Sequence, residues 1–246
     1  MKRLLLVLLV ISMLGIFVSC HDTIAPIIPS LDDNKNTTED PVAPVVDPAT
    51  SYTVSLPAAA EVTNYVQFTM DGGATFVVEL CPEYAPETVA NFQNLVYGGF
   101  YDGLTFHRIV EDFMIQGGDP KGDGTGSARI KINGEFTSNG FEANTLKHER
   151  GVISMARSTS PNSASCQFFI VTQTRASLDG QYAAFGRVVK GMETIDTIAA
   201  LEVSAQPLSG ELSKPVRVPV IQTAYFVNYT PEETIPEGGE TQTPAE

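Results

Sequence analysis

The chain has no tryptophan, only three cysteines and three histidines, and few cations: 15 Lys and Arg against 29 Asp and Glu, a formal net charge of −14 over 246 residues. Each shortage excludes something. A nucleic-acid partner calls for a clustered basic patch, and this composition offers none. His21, His107 and His148 are scattered, which argues against a zinc site. No Gly-x-Ser-x-Gly elbow is present for a hydrolase. The glycine-rich run Gly122-Asp123-Gly124-Thr125-Gly126 leads into the β-like stretch Ala128 to Ile132, whereas a dinucleotide loop must open a helix. Asp119 and Asp123 do not fit a calcium loop, because Lys121 lies between them. No metal, no cofactor and no nucleic acid are expected, and no internal repeat is present.

Both ends of the chain differ from its middle. Lys2 and Arg3 precede an apolar run from Leu4 to Val18, shorter than the roughly 20 residues a bilayer span requires. Residues 1–20 therefore read as a secretory leader. Cys20, directly after Phe17-Val18-Ser19, resembles the cysteine of a bacterial lipobox, although Phe17 stands where leucine is usual. The resemblance implies lipidation of Cys20 and a lipid-anchored location in the bacterial cell envelope, facing the periplasm or the exterior. An ordinary cleaved leader with a chance cysteine is the alternative. Taking Lys2 and Arg3 from the 15 basic residues, against 29 acidic ones, leaves a mature charge near −16. Residues 21–60 hold six prolines, six acidic residues and one lysine, a composition that buries little apolar surface and suits a flexible linker. Residues 230–246 hold five Glu and no Lys or Arg and read as an acidic tail. The folded unit is expected over 61–229.

Within that unit the pattern is mainly β. Tyr65–Met70 and Thr75–Leu80 are strand-like, and Asp71-Gly72-Gly73 between them has hairpin-turn chemistry. Pro86-Glu87-Thr88 opens a helix, Val89, Phe92, Leu95 and Val96 form its apolar stripe, and Gly98-Gly99 ends it. Short strands are expected at 104–110, 113–117, 128–133, 151–156 and 167–172, a second helix at about 192–201, and closing strands at 216–218 and 220–227. Many short strands with two separated helices suggest a closed antiparallel barrel with a helix near each end. Cys81 and Cys166 could pair in an oxidising compartment, but two buried, unpaired thiols is the favoured expectation.

One segment carries the most chemistry. Phe106-His107-Arg108-Ile109-Val110-Glu111-Asp112-Phe113-Met114-Ile115-Gln116-Gly117-Gly118-Asp119 places an arginine and a glutamine among large apolar side chains, and Gln167-Phe168-Phe169-Ile170-Val171-Thr172 repeats the mixture. A guanidinium is permanently charged and presents a planar fork of donors. Beside an apolar floor, with no nucleophile or metal cluster close in sequence, it suits chemistry that breaks no bond. With Tyr101-Asp102-Gly103-Leu104-Thr105 before it and Ser154-Met155-Ala156-Arg157 between the two blocks, the chain resembles the cyclophilin family of peptidyl-prolyl cis-trans isomerases over nearly all of 61–229.

That resemblance implies a closed eight-stranded antiparallel β-barrel capped by two α-helices. It also implies a cofactor-free enzyme acting on proline-containing polypeptides, which assists protein folding and is expected to be a monomer. By position, Arg108 and Gln116 are the implied catalytic pair. Phe113, Met114, Phe169 and Leu178 are the implied proline pocket, and Gly124, Ala156, Arg157, Gln167 and Tyr182 the implied contacts along the peptide groove. Read without the family, Arg108 is a surface ion-pair residue and Phe113, Met114 and Phe169 are barrel core. His107 is taken as structural, because rotation about an amide needs no proton transfer. Two positions depart from the pattern of many members. Ser177 replaces a tryptophan before Leu178-Asp179-Gly180, which implies weakened binding of the inhibitor cyclosporin. Tyr182 replaces a histidine, and its ring can still pack on proline. The substitution at Ser177 also keeps a second possibility open, a non-catalytic peptide-binding chaperone.

Overall fold

The computed structural model describes residues 62–230, Leu208 excepted. The expected leader with Cys20, the linker 21–60 and all but the first residue of the tail 230–246 lie outside the described residues. The elements, in chain order, are β1 (Tyr65–Met70), β2 (Thr75–Leu80), α1 (Pro86–Tyr97), β3 (Thr105–Val110), β4 (Met114–Asp119), β5 (Val152–Met155), β6 (Phe168–Val171), β7 (Ala184–Lys190), α2 (Met192–Ala199), β8 (Val203–Ala205), β9 (Leu212–Pro215) and β10 (Ile221–Phe226). Eight strands form one antiparallel sheet in the order β10-β1-β2-β7-β5-β6-β4-β3, and β8 and β9 form a separate hairpin.

The local reasons follow the sequence closely. The β1–β2 turn uses Gly72 and Gly73 at φ 97° and 87°, values that only glycine adopts without strain. Helix α1 buries Thr88, Val89, Phe92 and Val96 against the sheet. Its first turn has no side-chain cap of its own. Instead the buried carboxylate of Glu135 accepts the backbone N–H groups of Glu87 (2.9 Å) and Thr88 (2.7 Å), satisfying donors that a helix start leaves without partners. The core is aromatic: Phe68, Phe76, Phe92, Tyr101, Phe106, Phe168 and Phe185 are all inaccessible to solvent, and Phe68 stacks on Phe76 with centroids 4.7 Å apart.

Four expectations are corrected. The sheet is an open half-barrel, not a closed barrel: its edge strands β3 and β10 meet only through the Thr105–Val220 bridge and a few hydrogen bonds around it. Pro219 can accept there but has no N–H to extend a ladder, and β9 lies against β3 instead. Residues 128–133 form no strand; they run beside Ala164 and Ser165 with few regular bonds. The strand expected at 216–218 falls earlier, at β9. Strand β7 was not anticipated, because Gly186 interrupts its apolar pattern. The glycine is needed there, since a Cβ would sit 2.3 Å from the carbonyl oxygen of Glu79. Helix α2 ends at Ala199, within two residues of expectation.

Cys81 and Cys166 are both buried and unpaired. Burial pushes the Cys81 thiol up to about 11, with Glu83 and Glu79 adding to the rise, so it is no nucleophile at neutral pH.

Candidate active site

The site begins with an irregularity in β3. Phe106 pairs with Gly117 and Arg108 with Gln116, so the register slips by one residue at His107. The burial alternation slips with it: Phe106 and His107 are both buried, and Arg108 then faces outward. Such a bulge re-aims the side chains that follow it. Pairing continues across the sheet from Arg108 to Gln116, from Gln116 to Phe169, and from Phe169 to Ser154. Because alternate residues share a face, the outer face of β3, β4 and β6 carries Arg108 and Val110, Met114 and Gln116, and Phe169 and Val171 together.

On that face lies a second apolar cluster, separate from the barrel core. Met114, Phe169 and Val171 are buried in it, and Val110, Phe113, Ala156, Leu178 and Tyr182 pack around them, partly exposed. All four residues assigned to a proline pocket from sequence are therefore neighbours, and none belongs to the main core. Phe169 meets Tyr182 edge to face at 5.7 Å. Arg157 lays its guanidinium over the rings of Tyr182 (4.6 Å) and Phe136 (5.1 Å) and donates to the Gln181 carbonyl. This places a cation stacked on aromatic faces at the edge of the cluster.

A chain of polar groups adjoins the cluster at Met114. Arg108 Nη1 donates to Gln116 Oε1 at 3.1 Å. Gln116 Nε2 donates to Gln167 Oε1 at 2.9 Å. Gln167 Nε2 donates to the carbonyls of Gly124 (3.1 Å) and Gly126 (2.7 Å). Gly124, at φ 87°, belongs to a loop organised by buried Asp119, whose carboxylate accepts the N–H groups of Lys121, Asp123 and Gly124. The residues proposed from sequence within the described region thus fall in the Met114–Phe169–Val171 cluster, in the hydrogen-bonded chain from Arg108 to Gly124, or, for Arg157, against Tyr182 of the cluster.

Sequence reading missed two groups. Glu211, immediately before β9, grips Arg108 by two bonds of 2.7 Å, Nε to Oε2 and Nη2 to Oε1. The guanidinium holds this carboxyl down at about 2, with a further contribution from the Ser213 hydroxyl. No sequence signal links residues 103 apart in the chain. The second is His148, whose ring lies between Asp179 Oδ1 (3.1 Å) and Ser154 Oγ (3.0 Å). The trio imitates a hydrolytic triad, but Ser154 is wholly inaccessible and no substrate carbonyl could reach it. Burial pushes His148 below the ordinary histidine range against the pull of Asp179. The ring stacks on Phe169 at 6.1 Å, so the trio supports Phe169 and the apolar cluster it belongs to. His107 is also buried, and burial lowers its pKa too, partly offset by Asp119. Neither of its ring nitrogens has a partner among the described residues. No group of three His, Cys, Asp or Glu among the described residues could hold a metal ion.

The arrangement offers an oriented cation, a hydrogen-bonded amide chain and a partly exposed apolar cluster. Comparisons with known proteins agree with that chemistry. Peptidyl-prolyl cis-trans isomerase B of Bacillus subtilis is 40% identical over 151 residues, covering 61% of this chain and 95% of its own. Peptidyl-prolyl cis-trans isomerase-like 1 of Neurospora crassa is 40% identical over 149 residues, covering 60% and 89%. Among solved structures, a cyclophilin-type isomerase of Cryptosporidium parvum, crystallised in the presence of the dipeptide Ala-Pro, is similar with a TM-score of 0.59 and 29% identity, covering 67% of this chain and 99% of its own. The sequence profile of the family described as "Cyclophilin type peptidyl-prolyl cis-trans isomerase/CLD" matches residues 65–223, and the chain belongs to that family of isomerases.

Proposed function

We propose that the groove between Arg108 and the Met114–Phe169 floor accelerates rotation about X-Pro bonds of unfolded or extended polypeptides, and that the protein does so as a lipid-anchored folding assistant of the bacterial cell envelope. The observation that carries the catalytic part is the placing of one guanidinium and one apolar slot on a single face of β3, β4 and β6. Amide resonance sets a barrier of about 18–20 kcal/mol to rotation. In the twisted state the proline nitrogen holds a localised lone pair. A donor aimed at it binds more strongly there than in the planar ground state, which is the differential binding catalysis requires. Arg108 supplies that donor, and Gln116 fixes the fork by accepting from Nη1. A ten-thousand-fold acceleration needs about 5.5 kcal/mol, and one charge-assisted hydrogen bond contributes roughly 1.5–3. The remainder comes from seating the ring against Phe113, Met114, Phe169 and Leu178, away from water, while Gln167 and the backbone near Ala156 and Arg157 fix the flanking chain.

The Ala-Pro dipeptide present with the Cryptosporidium relative supports a prolyl peptide as ligand here. Titration of a short Ala-Pro peptide, followed by amide and side-chain NMR shifts, checks this. Perturbations should gather at Arg108, Gln116, Phe113 and Phe169. Shifts confined to the opposite edge, around Gln67 and Tyr225, would contradict it. The anchoring part rests on the apolar leader ending at Cys20 and on the proline-rich, acidic stretch 21–60 as tether. Labelling cells with a clickable fatty acid should tag the wild type and not Cys20→Ala. Equal labelling of both removes the anchor.

A further inference from the structure

The contact between Glu211 and Arg108 joins the groove to an element outside the main sheet. Glu211 closes the β8–β9 hairpin: its carbonyl accepts from Gln206 N at 2.8 Å, and its N–H donates to Ser209 Oγ at 3.3 Å. Its carboxylate is held in turn by Ser213 Oγ at 2.7 Å, and Ser213 is wholly buried. The acceptor facing Arg108 is therefore fixed at both ends, by the hairpin backbone and by a buried hydroxyl.

A guanidinium has five N–H donors in a rigid plane. Glu211 takes Nε–H and one hydrogen of Nη2, and Gln116 takes one of Nη1. Met114 Sδ lies 3.8 Å from Nη1 as a weak acceptor. The second hydrogen of Nη2 has no partner among the described residues. Two carboxylate oxygens and one amide oxygen thus define the plane of the fork and leave one edge for substrate. We propose that Glu211 is a positioning residue for the isomerase reaction, holding the Arg108 guanidinium in the orientation that meets the twisted prolyl amide. This rests on Arg108 being the donor to substrate, as argued above.

The physical gain is preorganisation. An unheld arginine explores many rotamers, and arranging it during the reaction raises the barrier; a planar fork already seated on a carboxylate loses little more. The pair is partly exposed, with side-chain accessibilities of 29% and 39%, so its effect belongs to orientation more than to stability.

The test compares wild type, Glu211→Ala, Glu211→Gln, Arg108→Ala and the double variant Arg108→Ala/Glu211→Ala on one prolyl peptide, with thermal melts of each. Glu211→Ala should lower kcat/KM about three- to ten-fold, or about 0.65–1.4 kcal/mol, mainly in kcat, because the lost orientation matters in the transition state. Its melting temperature should stay near wild type. Glu211→Gln should recover part of the loss, and in the Arg108→Ala background Glu211→Ala should change nothing further. The Arg108 Nε–H NMR signal should exchange with water faster in Glu211→Ala, a change that a merely structural role for the hairpin does not produce. Unchanged or raised kcat/KM in Glu211→Ala, with Arg108→Ala impaired, overturns the positioning role; a rise would make the contact a brake. An unimpaired Arg108→Ala instead overturns the assignment of Arg108 itself, whatever Glu211 does.

Discussion

Phe113 and Phe168 are aromatic residues of the two motif blocks with opposite surroundings, and truncating each should separate catalysis from stability. Phe168 is wholly buried and lies within 5.5–5.8 Å of the rings of Tyr101, Phe68, Phe92 and Phe106. Phe168→Ala leaves a cavity among rings that cannot collapse into it, at a cost of about 3–5 kcal/mol. That is a large share of the roughly 5–15 kcal/mol of a typical domain. Phe113 is only partly buried, at the rim of the groove, with Arg175 over its ring at 5.6 Å. Phe113→Ala gives up part of one side chain's burial and an exposed cation–π contact, about 1–2 kcal/mol. It also removes one wall from the proposed proline slot. Losing contact equivalent to one or two methylenes of the ring, about 0.8–1.6 kcal/mol, lowers kcat/KM about four- to fifteen-fold. Urea unfolding gives the stabilities, and a protease-coupled assay on a prolyl peptide gives the rates per folded molecule. Phe113→Ala should lose activity with modest destabilisation; Phe168→Ala should do the reverse. Full activity in Phe113→Ala, or wild-type stability in Phe168→Ala, would refute the division into groove and core.

Other perturbations have defined outcomes. Gly118 sits at φ 78°, and a Cβ would lie 2.6 Å from the Cys166 carbonyl oxygen; Gly118→Ala should destabilise by about 2 kcal/mol or more, read as a fall in urea midpoint. Burial keeps the folded-state pKa of His148 below its unfolded value. The stability tied to its neutral ring is therefore full above about pH 6.5 and is lost as pH falls from there. His148→Gln should flatten that part of the pH–stability curve, leaving the portion due to His107, which has the same sign. Glu211 is held down at about 2 by Arg108, so its contribution is complete above about pH 4.3 and disappears as pH falls toward 2. Activity should show no step from this pair between pH 5 and 8, a profile measurable in the same peptide assay.

The parts legible in the sequence share a physical cause: they depend on short-range pattern. The β1–β2 hairpin was announced by Asp71-Gly72-Gly73, and α1 by Pro86 and its 3.6-residue stripe. The pocket residues could be listed but not placed by periodicity, since Met114 and Phe169 alternate in strands just as core residues do. They lie on the outer face of β4 and β6, and the bulge at His107 turns Arg108 onto that same face; no composition rule announces either. The closed barrel failed at one seam, where Pro219 withholds an N–H and the β8–β9 hairpin covers β3. The ion-pair role that Arg108 suggested when read alone is also present, made with Glu211 on a hairpin far along the chain. Only the folded geometry shows that this pair and the groove use the same guanidinium.

The most direct measurement is the rate of cis-trans exchange of a prolyl peptide, by NMR, with wild type and with Arg108→Ala shown to be folded by its spectrum. Loss of one charge-assisted hydrogen bond to the twisted amide predicts a fall of about 10- to 150-fold in catalysed exchange. Exchange as fast in the variant as in the wild type contradicts the claim that this guanidinium stabilises the rotating bond.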